Sequence, residues 1–515
     1  MRDRYTSGDS RSLFFPAAIN KDFYKVFAVP KDIGKKEETV ELLSSILGIE
    51  EKDLEDKIFK ENDPYESLKN KVDEDVAQKI KELGIEGIHL ENETWRYFPA
   101  NQLACHLLGF VQQAEGGEKK GQYGLEEFYE KELAGKTGKA LVDKDSKGQL
   151  ISINKKIVQE SEEGADLILT IDPNIQAFIE KKLEETIVWL KAEKGSVIVM
   201  EVETGAIKAL ANWPVFDPNN YGKVKNISIF VNSAVQELFE PGSIFKPITM
   251  AAALDKGAIT PKTTYTDIGK VEISGYTITN AGDRTWGIQT MTEVIEKSIN
   301  TGAVFAQQKV GKEAFKDYIE KFGFKEKTGI DLKGEAKGNV SNLDKKQDLE
   351  YATASFGQGI AVTAIEMISA LAAVANDGIL MRPYVVEKII YKNGDEKITK
   401  PQERRRVISS ETASRLTAML VSAVENGYSK KAAVPGYLIA GKTGTSQIPD
   451  LEKGGYTEET IHTFGEFFPA YDARWAVLIK VDKPKGITYS SDSIAPLAGQ
   501  IAEYILNYYE IAPSQ

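Results

Sequence analysis

Apolar residues recur three and four apart in KEETVELLSSILGI (36–49) and in DEDVAQKIKELGI (73–85), the spacing of helices with one buried face. Short strands alternate with such charged helices through the first third of the chain. Acid-rich VQESEEGAD (158–166) breaks that pattern and marks a junction, so two domains are expected, residues 1–160 and 161–515. Beyond it LILTI is a short apolar strand, and Asp172-Pro173 opens a long helix, since proline in a first turn gives up an N–H that has no partner there. GSVIVMEVETGAIKALANWP (195–214) places apolar runs on both sides of Glu203-Thr204-Gly205 and predicts a β-hairpin. Helical spacing dominates from about residue 243 to 380. Strands return in YLIAGKTGT (437–445) and RWAVLIKVD (474–482), and APLAGQIAEYILNYYE (495–510) closes the chain as an amphipathic helix. A mostly antiparallel sheet covered by helices, with an all-helical insertion, is an α+β fold.

Composition narrows the class of partner. With 42% hydrophobic and 28% charged residues the chain has the balance of a globular protein, and 515 residues exceed one ordinary core. A formal net charge of -12 argues against nucleic acid, whose phosphates require a basic face. The one basic run, Arg404-Arg405-Arg406, reads as a solvated turn. No stretch reaches the roughly 18 apolar residues that span a membrane, and no signal peptide is legible at Met1.

Cysteine and histidine chemistry has little support. Cys105 is the single cysteine, so it forms no internal disulfide and leaves the redox compartment unset. It adjoins His106 in QLACHLLGF, an apolar setting that predicts a core thiol rather than a nucleophile. His89, His106 and His462 are too scattered for a His-based triad or a zinc site, and no metal or diffusible cofactor is called for.

The candidate chemistry lies in short motifs that occur more than once. Ser-x-x-Lys, Ser-x-Asn and Lys-Thr-Gly together mark serine enzymes that are acylated by penicillin-like compounds. One set crowds into residues 136–155, where Lys136-Thr137-Gly138 precedes Ser152, Asn154 and Lys155. A second spreads over EPGSIFKP (240–247), EKSINTG (296–302) and AGKTGT (440–445), and a further Lys-Thr-Gly begins at Lys327. A serine nucleophile and a lysine base must share a face, which a helix provides at i and i+3. Free N–H groups at a helix start also stabilise a developing oxyanion. EPGSIFKP meets both demands: Pro241-Gly242 turns the chain, Ser243 begins a helix and Lys246 lies one turn on. QLISINKK (149–156) instead alternates as a strand, which sends Ser152 and Lys155 to opposite sides. Glycines flanking Lys442, after apolar YLIA, let a peptide backbone approach an extended strand. Lys136 precedes a charged loop and Lys327 sits at a helix-to-loop turn. Ser243, Ser298 and Lys442 therefore head the candidate set, with Ser152 a decoy.

These residues resemble the penicillin-binding serine acyltransferases, and more narrowly the class B penicillin-binding proteins, the monofunctional D,D-transpeptidases of peptidoglycan synthesis. LTIDPNIQ, VIVMEVETGAIKALANWPVFDPN, EPGSIFKPITMAAAL, GYTITN, ASFGQGIAVTAIEM and AGKTGTSQ follow that family in order through residues 165–510. WRYFPANQLACHLLGFV and GQYGLEEFYEKELAGKTG resemble its N-terminal pedestal, and GYTITN and ASFGQG are closer to its septal, cell-division members than to its elongation members. The resemblance implies a penicillin-binding/serine β-lactamase-like transpeptidase domain, with an antiparallel sheet covered by helices and an all-helical subdomain, on an elongated N-terminal α+β pedestal. It implies that Ser243 attacks the D-Ala-D-Ala carbonyl and that Lys246, held neutral by burial and by Lys442, is its base. Ser298 would relay a proton to the leaving amine, and Asn300 would hold the substrate amide and Lys246. Thr443, Gly444 and Thr445 would bind substrate, the two threonine hydroxyls holding its terminal carboxylate, with the Ser243 and Thr445 N–H groups as oxyanion hole. Implied with these are β-lactams as inhibitors, peptidoglycan stem peptides as substrates, and a SEDS-type glycosyltransferase and other cell-division proteins as partners. The implied location is the extracytoplasmic face of the bacterial cell membrane.

The chain departs from the family pattern in places. Ile299 occupies the middle of the Ser-x-Asn triplet, where it should point away from the site. Asn232-Ser233-Ala234 lacks the arginine of a common Asn-Arg-Ala, and Glu466 in TFGEFFPA stands where glycine is usual, a change expected to alter substrate access. MRDRYTSGDS resembles the Arg-rich segment that follows a membrane anchor, so an upstream signal-anchor helix is expected and Met1 is not expected to be the natural start. A β-lactamase or D,D-carboxypeptidase on the same scaffold would share the acylation and differ only in giving the acyl group to water. A penicillin-binding sensor, or a docking platform for division proteins, is the non-catalytic alternative.

Overall fold

The structure, a computed structural model, describes residues 15–61, 63–113, 119–135, 139–144, 150–159, 163–345, 347–450 and 452–513. It divides into two compact units, Pro16–Asn101 and a larger one that begins at Gln102.

The smaller unit is a three-stranded antiparallel sheet in the order Glu66–Val72, Ile19–Ala28, Ile88–Tyr97. Helices Lys36–Leu47, Glu51–Ile58 and Glu74–Leu83 supply its other layer, two of them where the apolar spacing puts them. Val40, Leu43 and Leu47 on the first helix and Ala77 and Ile80 on the third close over Val26 and Ala28 to form a separate core.

The larger unit is organised by a five-stranded antiparallel sheet, in the order Ile207–Trp213, Lys194–Glu201, Trp475–Asp482, Tyr456–Phe468, Ala440–Pro449. The first two strands are the expected hairpin. One face of the sheet is covered by helices Pro173–Leu190 and Ala495–Tyr508, whose Ile179, Leu183, Ile501 and Ile505 meet Val197, Val199, Val477 and Ile479. Asp172 caps the first of these helices by accepting hydrogen bonds from the N–H groups of Asn174 and Ile175, ahead of Pro173 in the first turn. The other face carries helix Ala364–Ala375, opened by a capping box between Thr363 and Glu366.

The α+β class holds, but the insertion expected to be all-helical is not. Between its helices it contains two short antiparallel pairs, Thr264–Asp267 with Gly287–Thr290 and Lys270–Ile273 with Tyr276–Thr279. The basic run also differs from expectation. Glu403–Arg406 is a strand paired with Ile379–Met381, and the Arg404 guanidinium lies 2.7 Å from Glu326.

Candidate active site

A tight turn presents the nucleophile candidate. Gly242 has φ +59°, and a Cβ there would lie 2.9 Å from the Cβ of Ser446. Its N–H donates to the Gly357 carbonyl at 3.0 Å, and a Cβ on Gly357 would sit 2.2 Å from the Gly242 oxygen, so the ASFGQG stretch braces the turn by backbone contact. Gly242–Phe245 is a single 3-10 turn that passes into the helix Lys246–Asp255. Ser243 is half-buried at the wall of a cleft of about 670 Å³, while Lys246 beneath it has no exposed surface.

Three separate segments meet around Ser298. Lys246 Nζ donates to the Ser298 carbonyl at 2.5 Å and to Asn300 Oδ1 at 2.8 Å, and lies 3.2 Å from Ser298 Oγ. From the sheet edge, Lys442 Nζ reaches the same Ser298 Oγ at 3.0 Å and the Thr443 carbonyl at 2.9 Å. Ser298 therefore stands between the two lysine side-chain nitrogens, on a backbone with φ +54°, a conformation uncommon outside glycine. Burial, and then the neighbouring Lys442, push the Lys246 pKa well down from the ordinary lysine value. Burial lowers Lys442 to about 7. On the edge strand Thr445 Oγ1 is 3.2 Å from Ser490 Oγ and accepts from the Ser490 N–H at 3.1 Å. Gly444 lets this strand lie close to the nucleophile turn, because a Cβ there would be 2.9 Å from the Ile244 side chain. Thus Ser243, Ser298, Thr443 and Thr445 border one cleft, with Lys246, Asn300 and Lys442 in contact with its floor.

Sequence spacing missed the group that holds this arrangement. Asp267 is 1% exposed, and its carboxylate accepts from the Gly269 N–H, the Asn280 amide, the Trp286 N–H and the Thr301 hydroxyl at 2.7–3.1 Å. Asn280 Oδ1 in turn accepts from the Thr301 N–H at 3.1 Å, and Asn300 donates to the Thr279 carbonyl at 3.0 Å. The two strand pairs of the insertion thereby fix the residues that follow Ser298.

The other candidates fall elsewhere. Ser152 and Lys155 lie in the strand Leu150–Gln159, as the alternation predicts, and Lys136-Thr137-Gly138 lies outside the described residues. Lys327 is in an irregular segment, where its carbonyl accepts from Arg404 at 3.1 Å. Cys105 is buried among Phe110, Phe216 and Phe230, with burial raising its thiol to about 12, the reverse of an activated nucleophile. Ile299 is buried, yet it forms part of the cleft wall. Glu466 does not border the cleft. It alternates with Phe464 and Phe468 on the sheet face opposite Lys442, at 1% exposure, so the expected effect on substrate access has no structural basis.

A sheet between helical layers, with serine and lysine motifs meeting at one edge strand, defines a penicillin-binding type of transpeptidase domain. The family model "Penicillin binding protein transpeptidase domain" matches residues 195–503, and "Penicillin-binding Protein dimerisation domain" matches 16–169. Stage V sporulation protein D of Bacillus subtilis is 32% identical over 500 residues, covering 94% of this chain and 75% of that protein. Peptidoglycan D,D-transpeptidase FtsI of Escherichia coli is 30% identical over 450 residues, 87% of this chain and 73% of that protein. The crystal structure of penicillin binding protein 3 from Mycobacterium tuberculosis complexed with ampicillin aligns with a TM-score of 0.73 at 28% identity, covering 82% of this chain and 91% of that one. This chain belongs to the class B penicillin-binding proteins. No helix among the described residues is long and apolar enough to cross a membrane.

Proposed function

We propose that the protein is a peptidoglycan D,D-transpeptidase that cross-links stem peptides through an acyl-enzyme on Ser243. The observation that carries this reading is the fully buried Lys246 bonded to both Ser298 and Asn300, directly below the cleft that holds Ser243. An amine with a depressed pKa can accept the Ser243 proton as Oγ adds to the penultimate D-Ala carbonyl. The N–H groups of Ser243 and Thr445 stabilise the oxyanion, and the hydroxyls of Thr443 and Thr445 hold the terminal carboxylate. Ser298, bridging the two lysines, passes a proton to the departing D-Ala amine. An amine of a second stem peptide then attacks the ester, and Ser243 recovers its proton. Lys442 places positive charge beside the substrate carboxylate and raises the cost of protonating Lys246.

β-Lactams are trapped by the same first step. Residues 1–160 serve as pedestal and 161–515 as the reacting domain. Action at the extracytoplasmic face of the membrane, beside a SEDS-type glycosyltransferase and other division proteins, completes the proposal. The test is to offer an acyl-D-Ala-D-Ala donor together with a D-amino acid amine. Exchange of the terminal residue supports transfer, whereas release of D-Ala with water as the sole acceptor moves the assignment to a carboxypeptidase.

Asp267 acts by positioning rather than by touching substrate. Asp267→Asn puts an NH2 among donors, leaving buried groups unpaired at about 1–3 kcal/mol. It should lower the unfolding temperature and slow penicillin acylation roughly tenfold as Asn300 and Thr301 shift. Thermal unfolding and stopped-flow acylation of the variant check both. A loss of stability with no change in acylation would confine Asp267 to folding.

A further inference from the structure

In a chain of net charge -12, the cleft wall is cationic. Arg284, Lys297, Lys430 and Lys431 border it, against the single carboxylate of Asp492. Two of the four are neutralised locally. Lys431 lies 2.7 Å from Asp492, and Lys297 donates to Glu293 at 3.0 Å and to Gln289 at 2.6 Å. Among the described residues, Arg284 and Lys430 form no ion pair with a carboxylate.

Arg284 is also held in place. Its carbonyl accepts from the Asn280 amide at 3.0 Å, and Asn280 is itself 4% exposed and anchored on Asp267. Its Nη1 donates to the Tyr428 hydroxyl, and the guanidinium carbon lies 5.6 Å from the centre of that ring. Tyr428 is fixed from the other segment by its N–H, which donates to the Glu296 carbonyl at 3.1 Å. A phenol occupies one donor of the guanidinium fork and supplies no negative charge, so the remaining donors face the cleft's contents unneutralised.

We propose that Arg284, with Tyr428 and Lys430, binds a second carboxylate on the acyl donor, on the N-terminal side of its D-Ala-D-Ala unit. This rests on the acylation reading above and adds a substrate class to it. The terminal carboxylate of the donor is already assigned to Thr443 and Thr445. Only one residue follows the scissile bond, so any further carboxylate must lie on the other side. A peptide carrying an acidic group there is preferred to the same peptide with that group amidated.

Benzylpenicillin and carbenicillin form a matched pair of probes, because the second carries one additional carboxylate on the acyl side chain, which takes the place of the donor's N-terminal part. The ratio of their acylation rates, carbenicillin over benzylpenicillin, should fall about fivefold in Arg284→Gln, the size of one exposed charge-assisted contact. Arg284→Lys should recover part of it, and added salt should depress the ratio in the unsubstituted protein. Lys400→Gln, which removes a charge away from the cleft, should leave the ratio alone. Equal slowing of both penicillins in Arg284→Gln would make the arginine a purely structural strut and overturn the proposal, as would an unchanged ratio. Failure of both drugs to acylate the unsubstituted protein would instead overturn the acylation reading, and this one with it.

Discussion

Replacing Lys246 by methionine should slow acylation by penicillin about 10³-fold, within the range of a lost general base. Methionine keeps the length of the buried stem, so the helix Lys246–Asp255 and its apolar neighbours are retained. What disappears is the amine that meets Ser298 and Asn300. The pH profile identifies the cause. A lysine whose pKa is lowered by burial and by Lys442 is neutral, and able to act as base, above that lowered value and protonated below it. Acylation of the unsubstituted protein should therefore fall on the acid side, and that limb should be missing from the residual rate of Lys246→Met. A variant that keeps the same acid limb would assign the proton transfer to another group. Stopped-flow acylation across pH, beside a thermal melt to confirm folding, makes the measurement.

Glu466→Met should stabilise the protein, and by more as the pH rises. Both carboxylate oxygens of Glu466 lack a hydrogen-bond partner, and burial raises its pKa to about 8. In the unfolded chain the same group titrates near 4.5. Because the folded pKa is the higher one, the carboxyl is a neutral passenger at pH 4. Between 4.5 and 8 the unfolded state releases a proton that the folded state keeps, so stability declines through that window. At about 1.4 kcal/mol per pH unit the loss is ~3 kcal/mol at pH 7 and ~5 kcal/mol above pH 8. Melting temperatures of the two proteins should therefore lie close together at pH 4.5 and separate progressively towards pH 8. A gap that is constant across this range would mean that Glu466 does not change its ionisation on unfolding. Since the residue faces away from Lys442, the penicillin acylation rate should be the same in both.

Much of this architecture was legible because it is local. The helix Pro173–Leu190 follows from Asp172-Pro173 and an apolar stripe, and the hairpin Lys194–Trp213 from two apolar runs around a glycine turn. Ser243 and Lys246 could be paired from the i, i+3 spacing, and Ser152 set aside from its strand alternation. The strands of the insertion were harder. They are four residues long and bury few apolar side chains beyond Ile273 and Ile278, too short a run to distinguish period 2 from 3.6. Ser274-Gly275 between them was the available turn signal. Asp267 left no signal at all, since its partners lie 2, 13, 19 and 34 residues away and only the fold assembles them. The role of Glu466 depended on knowing which face of its strand meets the helices Pro173–Leu190 and Ala495–Tyr508, and Phe464 and Phe468 reveal that only once the strand is paired.

All of the chemistry proposed for the cleft depends on Ser243 carrying the acyl group. The direct measurement is the intact mass of the purified protein after incubation with a fluorescent penicillin, beside Ser243→Ala and Ser152→Ala. One lasting adduct is expected on the unsubstituted protein and on Ser152→Ala, and none on Ser243→Ala. An adduct that survives in Ser243→Ala, or that vanishes in Ser152→Ala, would contradict that assignment.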